Sequence, residues 1–125
     1  MTTKKLHVIL ADDDNLISLT IKELLIRRGY RVSIALDGME ALEINAIDPA
    51  DILVTDIQMP RLDGIGLTAE LRKTRPTMPI VVLTAFNDKF PPSDKHLGIL
   101  FKPILFELVE LEIRRLLKSP HGMAA

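Results

Sequence analysis

Asp12, Asp13 and Asp14 stand in a row after an apolar run, and Asp56 follows a second such run, Ile52 to Thr55. Thr84 closes a third run, and Lys102, followed by Pro103, closes a fourth. Carboxylates gathered at one place raise each other's pKa unless a cation joins them. Asp12, Asp13, Asp56 and Lys102 together carry a formal charge of −2, which a hard divalent ion would bring to zero while reversing the local pKa logic. Magnesium (or manganese) suits such a pocket, because it prefers oxygen ligands and uses few carboxylates beside water and phosphate oxygens. No residue in the set is an obvious general base for hydrolysis, and an aspartate needs none to attack phosphorus and form an aspartyl phosphate. Phosphoryl transfer asks mainly for positioning and charge stabilisation. Thr84 would donate to one incoming oxygen, and Lys102 would pair with another.

These residues meet only if the runs before them are neighbouring strands. Leu6 to Ala11, Arg31 to Ala35, Ile52 to Thr55, Ile80 to Thr84 and Gly98 to Phe101 read as five strands. Several are near-continuous apolar runs, the pattern of parallel strands covered on both faces. Helical patterns fill Leu16 to Arg28, Met39 to Ala46, Gly64 to Thr74 and Leu105 to Leu117. The first places Ile17, Ile21, Leu24 and Leu25 on one face, with Gly29 where a helix ends. Asp63 is positioned to cap the third. Alternating β and α elements make a doubly wound parallel sheet, an α/β fold of three layers. Ligands of such sheets bind beyond the carboxyl ends of the strands, where the acids, Thr84 and Lys102 fall.

The fourth crossover breaks the rhythm. Phe86 to Leu97 carries Pro91 and Pro92 at its centre, and proline inside a helix costs about 3 kcal/mol. The expectation there is a loop with about one turn of helix in Ser93 to Leu97. On the last helix, Leu105, Val109, Ile113 and Leu116 form a core stripe, while Ile104, Leu108 and Leu111 fall on another face. That second face reads equally as extended core or as a partner surface.

The chain has 125 residues, the size of one domain, with 47% apolar residues and only 4% aromatic. Residues 1–118 read as that domain and 119–125 as a loose tail. A net charge of −1 gives no general attraction to nucleic acid or an anionic membrane. With no cysteine, disulfides, thiolate metal sites and cysteine nucleophiles are excluded. No apolar run approaches the roughly 20 residues of a membrane span, and Leu6 to Ala11 is too short for a signal sequence. The expectation is a cytoplasmic domain. Asp14 reads as a helix N-cap rather than a ligand. His7, His96 and His121 show no ligand spacing, and His7 reads as a strand residue.

From Leu6 to about Leu117 the chain resembles the receiver domain of bacterial two-component response regulators. The pieces that carry the resemblance are Asp12–Asp13, the run from Asp56 through Gln58, Met59 and Pro60 to Asp63–Gly64, then Thr84–Ala85 and Lys102–Pro103. The resemblance implies a flavodoxin-like sheet of order 2-1-3-4-5 and a phosphorylation-dependent signalling switch. It assigns Asp56 as phosphoacceptor and Asp13 as a direct magnesium ligand, with Asp12 acting mostly through water. The backbone carbonyl of Gln58 would be a further ligand, and Thr84 and Lys102 the phosphate-sensing pair. Pro103 is expected to follow a cis bond. Gln58, Ala85 and Phe86 occupy the places that set access and dephosphorylation. The implied partner is a histidine kinase or histidine phosphotransfer protein, with a homodimer through strand five and the last helix.

Two departures stand out. Ile99 occupies the place, three before Lys102, where such domains often carry a switching aromatic. The fourth helix is shortened or missing. Both point to output by way of the 86–97 loop and the last helix. Two rival readings are a degenerate receiver that only binds protein and a phosphohydrolase of the haloacid dehalogenase type. The latter needs a second acid two residues after its nucleophile, where this chain has Gln58.

Overall fold

The computed structural model describes residues 4–85 and 89–118. The C-terminal segment expected as a tail, and Phe86, lie outside them. Five strands, β1 (His7–Ala11), β2 (Arg31–Ala35), β3 (Ile52–Asp56), β4 (Ile80–Thr84) and β5 (Leu97–Phe101), form one parallel sheet of order β2-β1-β3-β4-β5. The helices are α1 (Asn15–Arg27), α2 (Gly38–Ile47), α3 (Gly64–Thr74) and α4 (Phe106–Lys118). The flavodoxin-like order that the resemblance implies is the one observed.

Apolar residues on alternate faces of the strands build two cores. Ile9, Leu53, Ile80 and Val82 pack with Leu67 and Leu71 of α3, and Val8, Leu10, Val54 and Val81 pack with Ile21, Leu25, Val109 and Ile113. Because β1, β3 and β4 are buried along their whole length, every residue in them is apolar, a hydrogen-bonded His7 or Thr, or belongs to the site. His7 is a buried strand residue, its ring hydrogen-bonded to Ser33 Oγ at 2.7 Å and to the Pro49 carbonyl at 3.2 Å.

Three helices start on aspartates that accept an N–H three residues on: Asp14 from Ile17, Asp37 from Glu40 and Asp63 from Gly66. Gly29, at φ 95, ends α1 in the left-handed region. The caps fix where each helix leaves the sheet, and so where β1 and β3 present their terminal acids.

Two expectations are corrected. No turn of helix forms in Ser93 to Leu97. The Asp94 carboxylate accepts the His96 N–H at 2.8 Å and an Arg72 guanidinium N–H at 2.5 Å, the Leu97 N–H donates to the Asp94 carbonyl at 3.2 Å, and Leu97 opens β5. The segment's polar groups are satisfied by a turn tied to α3. Leu105 is not part of the core stripe: it is 64% exposed, because α4 begins one residue later and Ile104 and Phe106 take the inward places. Val109, Ile113 and Leu116 are buried as expected, whereas Leu108 and Leu111 are exposed.

Candidate functional site

β1 and β3 are adjacent in the sheet, so Asp12, one residue past the end of β1, and Asp56, the last residue of β3, emerge side by side. Each of Asp12, Asp13 and Asp56 offers a carboxylate oxygen within 4.8 Å of the others. Asp12 and Asp56 are buried and Asp13 is exposed. Across β4, β5 delivers Lys102, whose ammonium donates to Asp56 Oδ2 at 3.0 Å and lies 2.9 Å from Oδ1. Asp56 Oδ1 also accepts the Ile57 N–H at 2.8 Å. The acid is thus held in one orientation by two donors.

Asp12 is less well provided for. One oxygen accepts the Asp14 N–H at 2.9 Å, but Oδ2 is buried without a hydrogen-bond partner among the described residues. Burial pushes its carboxyl from 3.8 up to about 6; the charges of Asp56 and Asp14 add to the rise, against the Asp14 N–H and Lys102. A partnerless buried carboxylate oxygen facing two further carboxylates fits a hard cation, because an ion there would satisfy the orphan oxygen and relieve the repulsion together.

Thr84 ends β4, buried, with its hydroxyl donating to the Ala85 carbonyl at 3.1 Å. Its own carbonyl accepts the Lys102 N–H at 2.8 Å, and the bond from Lys102 to Pro103 is cis. Ala85 is half-buried beside it, Gln58 is exposed, and Ile99 is half-buried against the α2–α3 core. Asp14 stays out of the cluster as the N-cap of α1.

Reading the sequence missed what holds the loop after Asp56. Arg61, at φ 66, makes a two-pronged ion pair with Asp37, at 2.8 and 3.1 Å. Asp37 before Gly38 could have been found as a cap; its second partner could not.

Residues 8–104 match the response regulator receiver domain as a family. The chain belongs to the response regulator receiver family. The receiver is 38% identical over 120 residues to the response regulator MprA of Mycobacterium leprae, an alignment covering 90% of this chain and 51% of that protein. The chain therefore spans about half the length of that relative. Among solved structures, it is similar to the receiver domain of the Francisella response regulator 1452, with 34% identity and a TM-score of 0.74, covering 89% of this chain and 93% of that one. It is also similar to a response regulator receiver protein from Sinorhizobium medicae, with 25% identity and a TM-score of 0.80, covering 94% and 98%. Within the receiver, no described helix is long and apolar enough to cross a membrane.

Proposed function

We propose that this receiver is phosphorylated on Asp56 by a histidine kinase or a histidine phosphotransfer protein, with magnesium (or manganese) held by Asp12, Asp13, Asp56 and the Gln58 carbonyl. The observation that carries the reading is the pairing of Asp56 with Lys102 directly beside the partnerless buried oxygen of Asp12. The bound ion would neutralise negative charge on the carboxylates and on the incoming phosphoryl oxygens. The remaining work belongs to the chain. Lys102 and the Ile57 N–H aim the Asp56 carboxylate; one of its oxygens forms the new O–P bond as the donor's N–P bond breaks, and the donor imidazole keeps that electron pair. Lys102 then follows the added charge, and Thr84 releases the Ala85 carbonyl to donate to a phosphoryl oxygen.

Intact-mass measurement after incubation with acetyl phosphate and magnesium tests this. One phosphoryl adduct is expected on the wild type, and none on Asp56→Asn or with excess chelator. No wild-type adduct would leave a protein-binding module, and sustained release of inorganic phosphate would favour the phosphohydrolase reading. Phe86, two residues after Thr84, is expected to shield the acyl phosphate, so Phe86→Ala should shorten its lifetime.

The output reading rests on the crossover. Among residues 89–96 there is no helix, and Phe90 packs edge-on against Phe101, ring centroids 5.8 Å apart. Phe101 immediately precedes Lys102, so a change at Asp56 is felt next to that contact. The reading is that the crossover orders when Thr84 turns to the phosphoryl group. Amide exchange of residues 89–96 with and without a beryllofluoride mimic checks it; unchanged exchange would remove the idea. Exposed Leu108 and Leu111 on α4, with exposed Leu105 just before it, support a homodimer through β5 and α4.

A further inference from the structure

The connection between β3 and α3, residues 57–63, carries the Gln58 carbonyl and is fastened at both ends. Near Asp56, the Gly64 N–H donates to the Ile57 carbonyl at 2.8 Å, and a Cβ on Gly64 would lie 2.2 Å from the Asp56 carbonyl oxygen. At the far end, the Gly38 N–H donates to the Leu62 carbonyl at 3.0 Å. Between these points, Leu62 N–H turns back to the Pro60 carbonyl at 2.7 Å, and Arg61 occupies the left-handed region at φ 66. A non-glycine residue holds that conformation only when its surroundings impose it.

Asp37 imposes it. Its carboxylate takes Arg61 Nε at 2.8 Å and a terminal guanidinium nitrogen at 3.1 Å, the two-pronged geometry that suits arginine and not lysine. The same Oδ1 accepts the Glu40 N–H at 2.8 Å and caps α2. Freely exposed ion pairs contribute little; here Arg61 is 56% exposed but the Asp37 side chain only 12%, and the pair is two-pronged. The Arg61 hydrogen bond, helped by the Glu40 N–H, holds the Asp37 carboxyl below the usual carboxylate range.

We propose that Asp37 and Arg61 are a positioning pair for the cation: by clamping the 57–63 turn to the N-terminus of α2, they set where the Gln58 carbonyl lies relative to Asp12, Asp13 and Asp56. This rests on the reading above, in which those four residues hold magnesium. The pair acts through the loop, not by contact with the ion.

The test is a magnesium titration of the full chain followed by NMR, with no phosphodonor present. The variants are Arg61→Ala, Arg61→Lys, Asp37→Asn and the double variant Asp37→Asn/Arg61→Ala. Asparagine keeps the cap of α2, so Asp37→Asn and Arg61→Lys carry the test if Arg61→Ala fails to fold. Magnesium affinity should fall about tenfold in Arg61→Ala, the low end for a group that orients a ligand indirectly. Arg61→Lys should restore it only in part, and the double variant should be no worse than the weaker single one. Acetyl phosphate labelling should slow by the same factor at limiting magnesium and recover at saturation. A purely structural pair would lower the melting temperature and leave magnesium affinity unchanged; wild-type affinity in both Arg61→Ala and Asp37→Asn overturns the proposal. If the wild type binds no magnesium, both the reading and the clamp fall. If it binds magnesium but takes no phosphoryl group, only the assignment of Asp56 falls and the titration still decides the clamp.

Discussion

Asp12 makes the pocket costly to maintain without a cation, so Asp12→Asn should stabilise the metal-free domain. Burial, with help from Asp56 and Asp14, lifts its carboxyl from 3.8 to about 6. The folded chain therefore keeps a proton at Asp12 that the unfolded chain gives up near 3.8. Between these values the native state binds more protons, so stability falls as pH rises, and the whole penalty is present above about 6. Its size is on the order of 3 kcal/mol near neutral pH. Asparagine has the same shape, can still accept the Asp14 N–H, and never ionises. In chelator, wild type and variant should unfold together near pH 4, and the variant should melt roughly 10 °C higher near neutral pH, at about 3–5 °C per kcal/mol for a chain of this length. Asp37, Asp48 and Asp94, whose carboxyls are held low, lend stability that is lost on acidification, but they are common to both proteins and cancel in the difference. Magnesium should close the gap from the other side. At a hundredfold over its dissociation constant it would add about 2.7 kcal/mol to the wild type, and little to the variant. Calorimetry across pH, with chelator and with magnesium, reads all of this. A difference between the two proteins that stays flat from acid to neutral pH refutes the argument that Asp12 is a strained acid.

Gly38→Ala should destabilise the domain by about 1–3 kcal/mol, because the new methyl would lie 2.3 Å from the Leu62 carbonyl oxygen and 2.8 Å from its Cβ; urea unfolding measures it, with a magnesium titration to show the loop displaced. Glu110 is buried on α4, accepts from Arg28 at 3.2 Å and Tyr30 at 3.3 Å, and forms an ion pair with Arg114 at 2.9 Å. Glu110→Ala should cost about 1–3 kcal/mol, since the buried phenol loses its acceptor while both arginines can turn to water; the same unfolding assay decides, and phosphorylation of Asp56 should be unaffected because the network is tied to α1 and α4 rather than to the acids.

The fold was legible because its signals are local. Apolar runs of strand length ended at aspartates, threonine and lysine, and Asp14 and Asp63, side chains with their own capping chemistry, marked where α1 and α3 begin. Asp12, Asp13, Asp56 and Lys102 could be grouped from sequence because the topology leaves strand ends nowhere else to go. The clamp was not legible in the same way. Arg61 had to adopt a left-handed backbone that arginine does not favour, and its partner is 24 residues away on another element. The turn at Asp94 was missed for the same reason: its arginine partner lies on α3, 22 residues earlier. Leu105 was misplaced by a register error of a single residue at a helix start, where periodicity is least informative.

The shortened crossover changes what the rest of the receiver must do. Where a helix would cover the end of β5, Phe90 and Phe101 cover each other while both stay about half exposed. An edge-to-face pair of this kind is worth about 0.5–1.5 kcal/mol, an amount that a rearrangement around Asp56 can outweigh. Asp94, bound to Arg72, pins the other end of the segment to α3. On the output reading proposed above, the segment would respond through the Phe90–Phe101 contact next to Lys102 while Asp94 keeps it attached to α3. Ile99 lies against the core, so on the same reading the aromatic that would carry the change is Phe101, which touches the crossover.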